Sequence, residues 1–176
     1  WYDNIGRRFI IDGYLKKLFD LGVLGVTSNP SIFEKAINHT SDYDIKIADL
    51  INKGLDAALI YDELTSWDVT DAAGLLNDIY QKTNYRDGYV SIEVPPQYAY
   101  DASNTIDYAR LIYKKINLPN IMIKVPGTKG SDEAIRALIR EGINVNVTLL
   151  FGLKHYRRAA YAYIDGIKDR LKKAQD

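Results

Sequence analysis

Asn120-Ile121-Met122-Ile123-Lys124-Val125-Pro126 sets one lysine inside an apolar run. The run is short, rich in isoleucine and valine, and closed by proline, so it reads as a strand. Ile123 and Val125 flank Lys124. That argues for a central strand rather than an edge, where a lysine would discourage aggregation. Burying a charged amine is costly, so burial favours the neutral and nucleophilic form. A neutral lysine inside a barrel-like sheet points to Schiff-base chemistry on a carbonyl substrate.

The flanking sequence repeats the same alternation. Strands are predicted at Trp1–Asp3, Gly22–Ser28, Tyr89–Val94, Ile121–Val125 and Asn144–Leu150. Helices are predicted from about Ser31, over Asp42–Asn52, over Thr105–Lys115, over Asp132–Glu141 and over Leu153–Ala174. Leu55–Leu64 and Asp68–Lys82 continue one helical pattern, with Val69, Ala72, Ala73 and Leu76 at helical spacing. Asn29 before Pro30 opens a helix, Ser131 is the expected cap of another, and Gly142 ends it. Strand–helix repetition means a parallel sheet with helical crossovers. Five such units fall short of the eight, and the ~250 residues, of a closed barrel. An open doubly wound sheet is the alternative that five strands could complete.

Composition narrows the class. The chain has 176 residues, 47% hydrophobic and 26% charged, with 23 basic and 23 acidic side chains. It suits a single domain, with no boundary that marks a second. The balanced charge gives no argument for nucleic acid or an anionic membrane. No apolar run reaches the ~20 residues of a membrane span. The absence of cysteine removes disulfides and thiolate metal sites, and fits a cytoplasmic protein. A strand is already under way at Trp1, so residues upstream are expected.

Side chains alternate faces along a strand. Met122 and Lys124 share one face of the fourth strand, Ser91 and Glu93 one face of the third, and Asn144, Asn146 and Thr148 one face of the fifth. Val145, Val147 and Leu149 are expected to face the helices. Asp3 and Asn29 end the first two strands. Every strand thus offers a polar group near its C-terminal end, the rim that carries active sites in parallel barrels. Each also has an ordinary reading: Asn29 as a cap, Thr148 as β propensity, Asp3 as a solvated charge and Glu93 as a strand-end carboxylate. Asn146 is harder to dismiss, because Asn is depleted in strands. His39 and His155 read as surface residues, and no metal site is expected. Gly127-Thr128-Lys129-Gly130-Ser131 lacks P-loop spacing and reads as a strand–helix loop.

These residues lie in stretches that resemble the transaldolase family. The stretches are Trp1-Tyr2-Asp3-Asn4-Ile5, Gly25-Val26-Thr27-Ser28-Asn29-Pro30-Ser31-Ile32-Phe33, Asp87–Val94, Ile121–Thr128 and Glu141–Phe151. The Thr-Ser-Asn-Pro-Ser form is similar to the bacterial branch. The resemblance implies a (β/α)8 TIM barrel of the class I aldolase type, of which this chain covers about five units. It implies transfer of a dihydroxyacetone unit from sedoheptulose 7-phosphate or fructose 6-phosphate, with no cofactor. In that reading Lys124 forms the Schiff base and Asp3 is the general acid/base. Glu93 and Thr148 hold the catalytic water, and Asn29 and Asn146 bind substrate hydroxyls. The family's later elements carry a serine near the Schiff base and an arginine for the sugar phosphate. Neither has a match here, and Arg136 and Arg140 are poor substitutes. The expectation is a fragment, or a chain that another copy or partner completes, with low turnover by itself.

Overall fold

A computed structural model describes residues 1–175. Five strands alternate with helices: β1 Tyr2–Asp3, β2 Gly25–Thr27, β3 Tyr89–Glu93, β4 Ile121–Pro126 and β5 Val145–Thr148. They follow one another in the sheet in chain order. The helices are α1 Arg7–Ile11, α2 Tyr14–Asp20, α3 Pro30–Asn38, α4 Asp44–Asn52, α5 Ala57–Lys82, α6 Ala102–Ile116, α7 Ser131–Glu141 and α8 Leu153–Lys173. A 3-10 turn, Pro96–Tyr98, precedes α6.

The described residues divide into two compact units, and the division falls within β3. Unit one comprises Trp1–Ser91 with Leu118–Asn120. In it β1 pairs parallel with β2, Asp3 opposite Thr27, and β2 pairs parallel with β3, Thr27 opposite Ser91. Val26, Val69, Ala72, Leu76 and Val90 are fully buried. Tyr43, Leu50 and Leu64 form a second apolar cluster with Ile37, Ile47 and Ile60 packed around it. Unit two comprises Ile92–Asn117 and the residues from Ile121 on. There the Val94 N–H donates to the Lys124 carbonyl at 3.1 Å. β4 pairs parallel with β5, Lys124 opposite Asn146 and Pro126 opposite Thr148. Ile121, Ile123 and Val125 are buried, as are Ile112, Ile135 and Leu138 on the helices.

Local chemistry explains the element ends. Asn29 caps α3, its Oδ1 accepting from the Ile32 N–H at 3.0 Å, with Pro30 in the first turn. Asp56 caps α5 in the same way through the Leu59 N–H. α5 runs unbroken through 65–67, and within it Thr65 and Thr70 donate their hydroxyls to the Tyr61 and Ser66 carbonyls.

Two expectations need correcting. Gly130, with φ 99°, is the cap residue of α7, and Ser131 is already helical, donating its hydroxyl to the Thr128 carbonyl. β5 stops at Thr148, because Leu149 turns into the left-handed region at φ 61°; it is 54% exposed rather than packed on the helices. The stretch between β1 and β2, left unassigned from sequence, holds α1 and α2, separated by the left-handed Gly13.

Candidate active site

β4 carries Lys124 into unit two with β-branched neighbours on both sides, and the residue is only 8% exposed. Its Nζ lies 3.7 Å from Glu93 Oε2, with the Glu93 side chain 14% exposed. That separation is an ion-pair distance, longer than a direct hydrogen bond. Parallel register sets Asn146 beside Lys124, and Thr148 lies two residues further along the same face of β5. Unit two therefore assembles Lys124, Glu93, Asn146 and Thr148 from three strands. The Thr148 carbonyl also accepts the Gly127 N–H at 2.8 Å, which ties the β4–α7 loop to β5.

Unit one holds the other two candidates. Asp3 ends β1, is exposed, and lines a cavity of about 580 Å³ together with Phe9, Lys35 and Tyr43. Asn29 is half-buried, and because its Oδ1 serves the α3 cap, its amide NH2 is the group left to donate to a ligand. Thr27 stands opposite Asp3 in register and shares its face. Sequence reasoning passed over Thr27, since a threonine in a strand looks like β propensity. Register with Asp3 is the signal that finds it.

His39 and His155 are exposed. Among the described residues no group of His, Cys, Asp and Glu could hold a metal, and no helix is long and apolar enough to cross a membrane. In the Gly127–Ser131 loop the Thr128 hydroxyl donates to the Ala99 carbonyl and Ser131 to Thr128. Those hydroxyls serve the loop itself. Arg136 pairs with Asp169 at 2.7 Å, and Arg140 lies 3.8 Å from Glu141. The hydrogen bond and charge of Arg136 hold the Asp169 carboxyl below its ordinary range, as Arg110 does for Glu141.

A second buried ionic group was not foreseen. Arg7, 3% exposed, reaches Asp68 at 3.3 Å and Asp71 at 2.6 Å, and its guanidinium stacks 3.9 Å from the Trp67 ring. The Tyr43 hydroxyl donates to Asp68 Oδ2 at 2.5 Å and accepts the Arg7 backbone N–H at 2.9 Å. Burial pushes the Asp68 carboxyl up to about 6 despite Tyr43 and Arg7, and burial followed by the Asp68 charge pushes the Tyr43 phenol up as well. The sequence signal was Asp68 lying beside Val69 and four residues before Ala72 on the buried stripe of α5.

Residues 1–174 match the family model described as Transaldolase/Fructose-6-phosphate aldolase. A Nostoc sp. protein named Transaldolase 2 is 45% identical over all of this chain, and the match covers 46% of that protein. Transaldolases of Trichodesmium erythraeum and Thiobacillus denitrificans are 44% and 40% identical over the whole chain, which covers 47% and 49% of them. The chain thus spans about half the length of the curated relatives it matches. Its five parallel strands alternating with helices are part of the TIM barrel of that family. With a family match over nearly all of its residues, the chain belongs to the transaldolase/fructose-6-phosphate aldolase family.

Proposed function

We propose that this chain carries the Schiff-base part of a transaldolase. The enzyme would move a dihydroxyacetone unit from sedoheptulose 7-phosphate or fructose 6-phosphate to an aldose phosphate, in the cytoplasm, as a step of the pentose phosphate pathway. One observation carries the reading: a buried lysine on a central strand with a carboxylate 3.7 Å from its nitrogen.

In this reading the Lys124 amine attacks the ketose C2 carbonyl to give a carbinolamine. Loss of water leaves a protonated imine, and Glu93 and Thr148 hold that water for departure and return. Asp3 then takes the proton of the C4 hydroxyl. The C3–C4 bond breaks, its electron pair flows into the imine, and an aldose phosphate leaves. The enamine that remains attacks the aldehyde of the acceptor, and Asp3 returns the proton to the new hydroxyl. Hydrolysis frees the product and the amine. Asn29 and Asn146 bind hydroxyls of the three-carbon unit without adding charge near the amine. The imine is itself the electron sink, so no cofactor enters the scheme.

A second reading is an aldolase that releases free dihydroxyacetone. The family description, which names fructose-6-phosphate aldolase beside transaldolase, favours keeping it. Transfer to an added aldose phosphate supports the first reading, and donor cleavage without acceptor supports the second.

Borohydride reduction in the presence of fructose 6-phosphate tests the shared chemistry. A covalent mass increase on Lys124 is expected, and Lys124→Arg should abolish it although the charge stays. An adduct that survives this substitution moves the nucleophile elsewhere, and an unmodified wild-type chain leaves a non-catalytic scaffold.

A further inference from the structure

The Arg7–Tyr43–Asp68 group is a poor investment for stability alone. Arg7 Nε and Nη1 and Asp68 Oδ1 are buried without a hydrogen-bond partner, and the Arg7–Asp68 contact is long at 3.3 Å. Buried ion pairs with imperfect geometry seldom outperform packed apolar residues. Their placement is better explained by what they hold.

The segment they hold is short. Asp3 ends β1 and Arg7 begins α1, leaving Asn4, Ile5 and Gly6 between them. Ile5 is fully buried, which fixes the middle of the turn. The far end is fixed by Arg7 twice over, through its backbone N–H on Tyr43 and through its side chain on Asp68, Asp71 and Trp67. β1 itself has only two residues, and they pair with β2 alone in this unit. So short a strand cannot set the direction of its last side chain unaided.

We propose that Tyr43 and Arg7 are positioning residues: the Tyr43 hydroxyl, held between the Arg7 N–H and Asp68, fixes the β1–α1 turn and thereby aims the Asp3 carboxylate. The inference rests on the proposed function, in which Asp3 takes the C4 hydroxyl proton during C–C cleavage. It places the effect of these residues on cleavage and not on imine formation.

The test is Tyr43→Phe in the full chain, with borohydride trapping on fructose 6-phosphate. Phenylalanine keeps the ring packing and removes only the bridging hydroxyl. Mass analysis separates a six-carbon adduct, trapped before cleavage, from a three-carbon adduct trapped after it. The expected result is total adduct within twofold of wild type and a six-carbon to three-carbon ratio at least tenfold higher. Amide exchange at Arg7 should also quicken about tenfold. A ratio unchanged from wild type, or both adducts falling together, overturns the proposal. Should Tyr43→Phe not fold, Asp71→Asn loosens the same guanidinium from its half-exposed side and must shift the ratio in the same direction. A wild-type chain that forms no adduct defeats the functional reading itself, an outcome distinct from failure of the variant.

Discussion

Lys124 Nζ and Glu93 Oε2 lie 3.7 Å apart on neighbouring strands, both side chains withdrawn from solvent. Neither residue is adjacent to the other in sequence, and their separation is an ion-pair distance longer than a direct hydrogen bond. Glu93→Gln keeps the shape and removes the exchangeable charge. The expected outcome is imine formation about 100-fold slower, the scale of one lost acid/base group. Single-turnover trapping measures it, and a wild-type rate would take Glu93 out of the chemistry.

Asp68 makes stability depend on pH in the unusual direction for a carboxylate. Its folded value is raised to about 6 from 3.8, so the folded state holds the proton more tightly than the unfolded chain. Burial outweighs the lowering by the Tyr43 hydrogen bond and the Arg7 charge, and the Asp71 and Asp42 charges add to the rise. Stability from this group is therefore greatest below about pH 4 and declines as pH rises through about 6, by on the order of 3 kcal/mol. Urea denaturation of wild type and Asp68→Asn across this range should show a flatter profile in the variant. Parallel profiles would mean that Asp68 does not titrate there.

Arg136 and Arg140 are engaged with their own acidic neighbours on the surface of unit two. The double substitution to alanine should leave KM for fructose 6-phosphate within twofold of its starting value. A large rise in KM would make this helix the phosphate site after all.

Two left-handed glycines should differ in tolerance. Gly88 has φ 84°, and a Cβ there would sit 2.4 Å from the Tyr80 backbone nitrogen. Gly142 has φ 85°, but its crowding comes from the end of the Arg170 side chain, which can swing away. Alanine at either site meets the left-handed cost of about 1–2 kcal/mol. Gly88→Ala should lose measurably more stability in thermal denaturation than Gly142→Ala, because backbone cannot move aside. Equal losses would contradict this account.

The strand holding Lys124, the Asn29-Pro30 helix start and the Gly142 helix end were legible because each depends on immediate neighbours. The α7 cap was misread by one residue, since Gly130 and Ser131 are both credible caps and only the backbone angle decides. The turn of Leu149 was invisible: the hydrophobic pattern Val145, Val147, Leu149 continues as a strand even where the backbone does not. The buried ionic group was missed for another reason. Arg7, Tyr43 and Asp68 are separated by 36 and 25 residues along the chain, and nothing local pairs them.

By itself the sequence determined that strands alternate with helices, and that Lys124, Glu93, Asn146 and Thr148 are among the polar groups that alternate with apolar ones along their strands. Side-chain alternation is a property of each strand alone, so it can be read without knowing the fold. Only the tertiary structure decided which of those groups meet. Register between β4 and β5 sets Asn146 beside Lys124, and pairing at β3 brings Glu93 within 3.7 Å. Those choices depend on how segments distant along the chain dock, which burial of the whole sheet decides and no single stretch encodes.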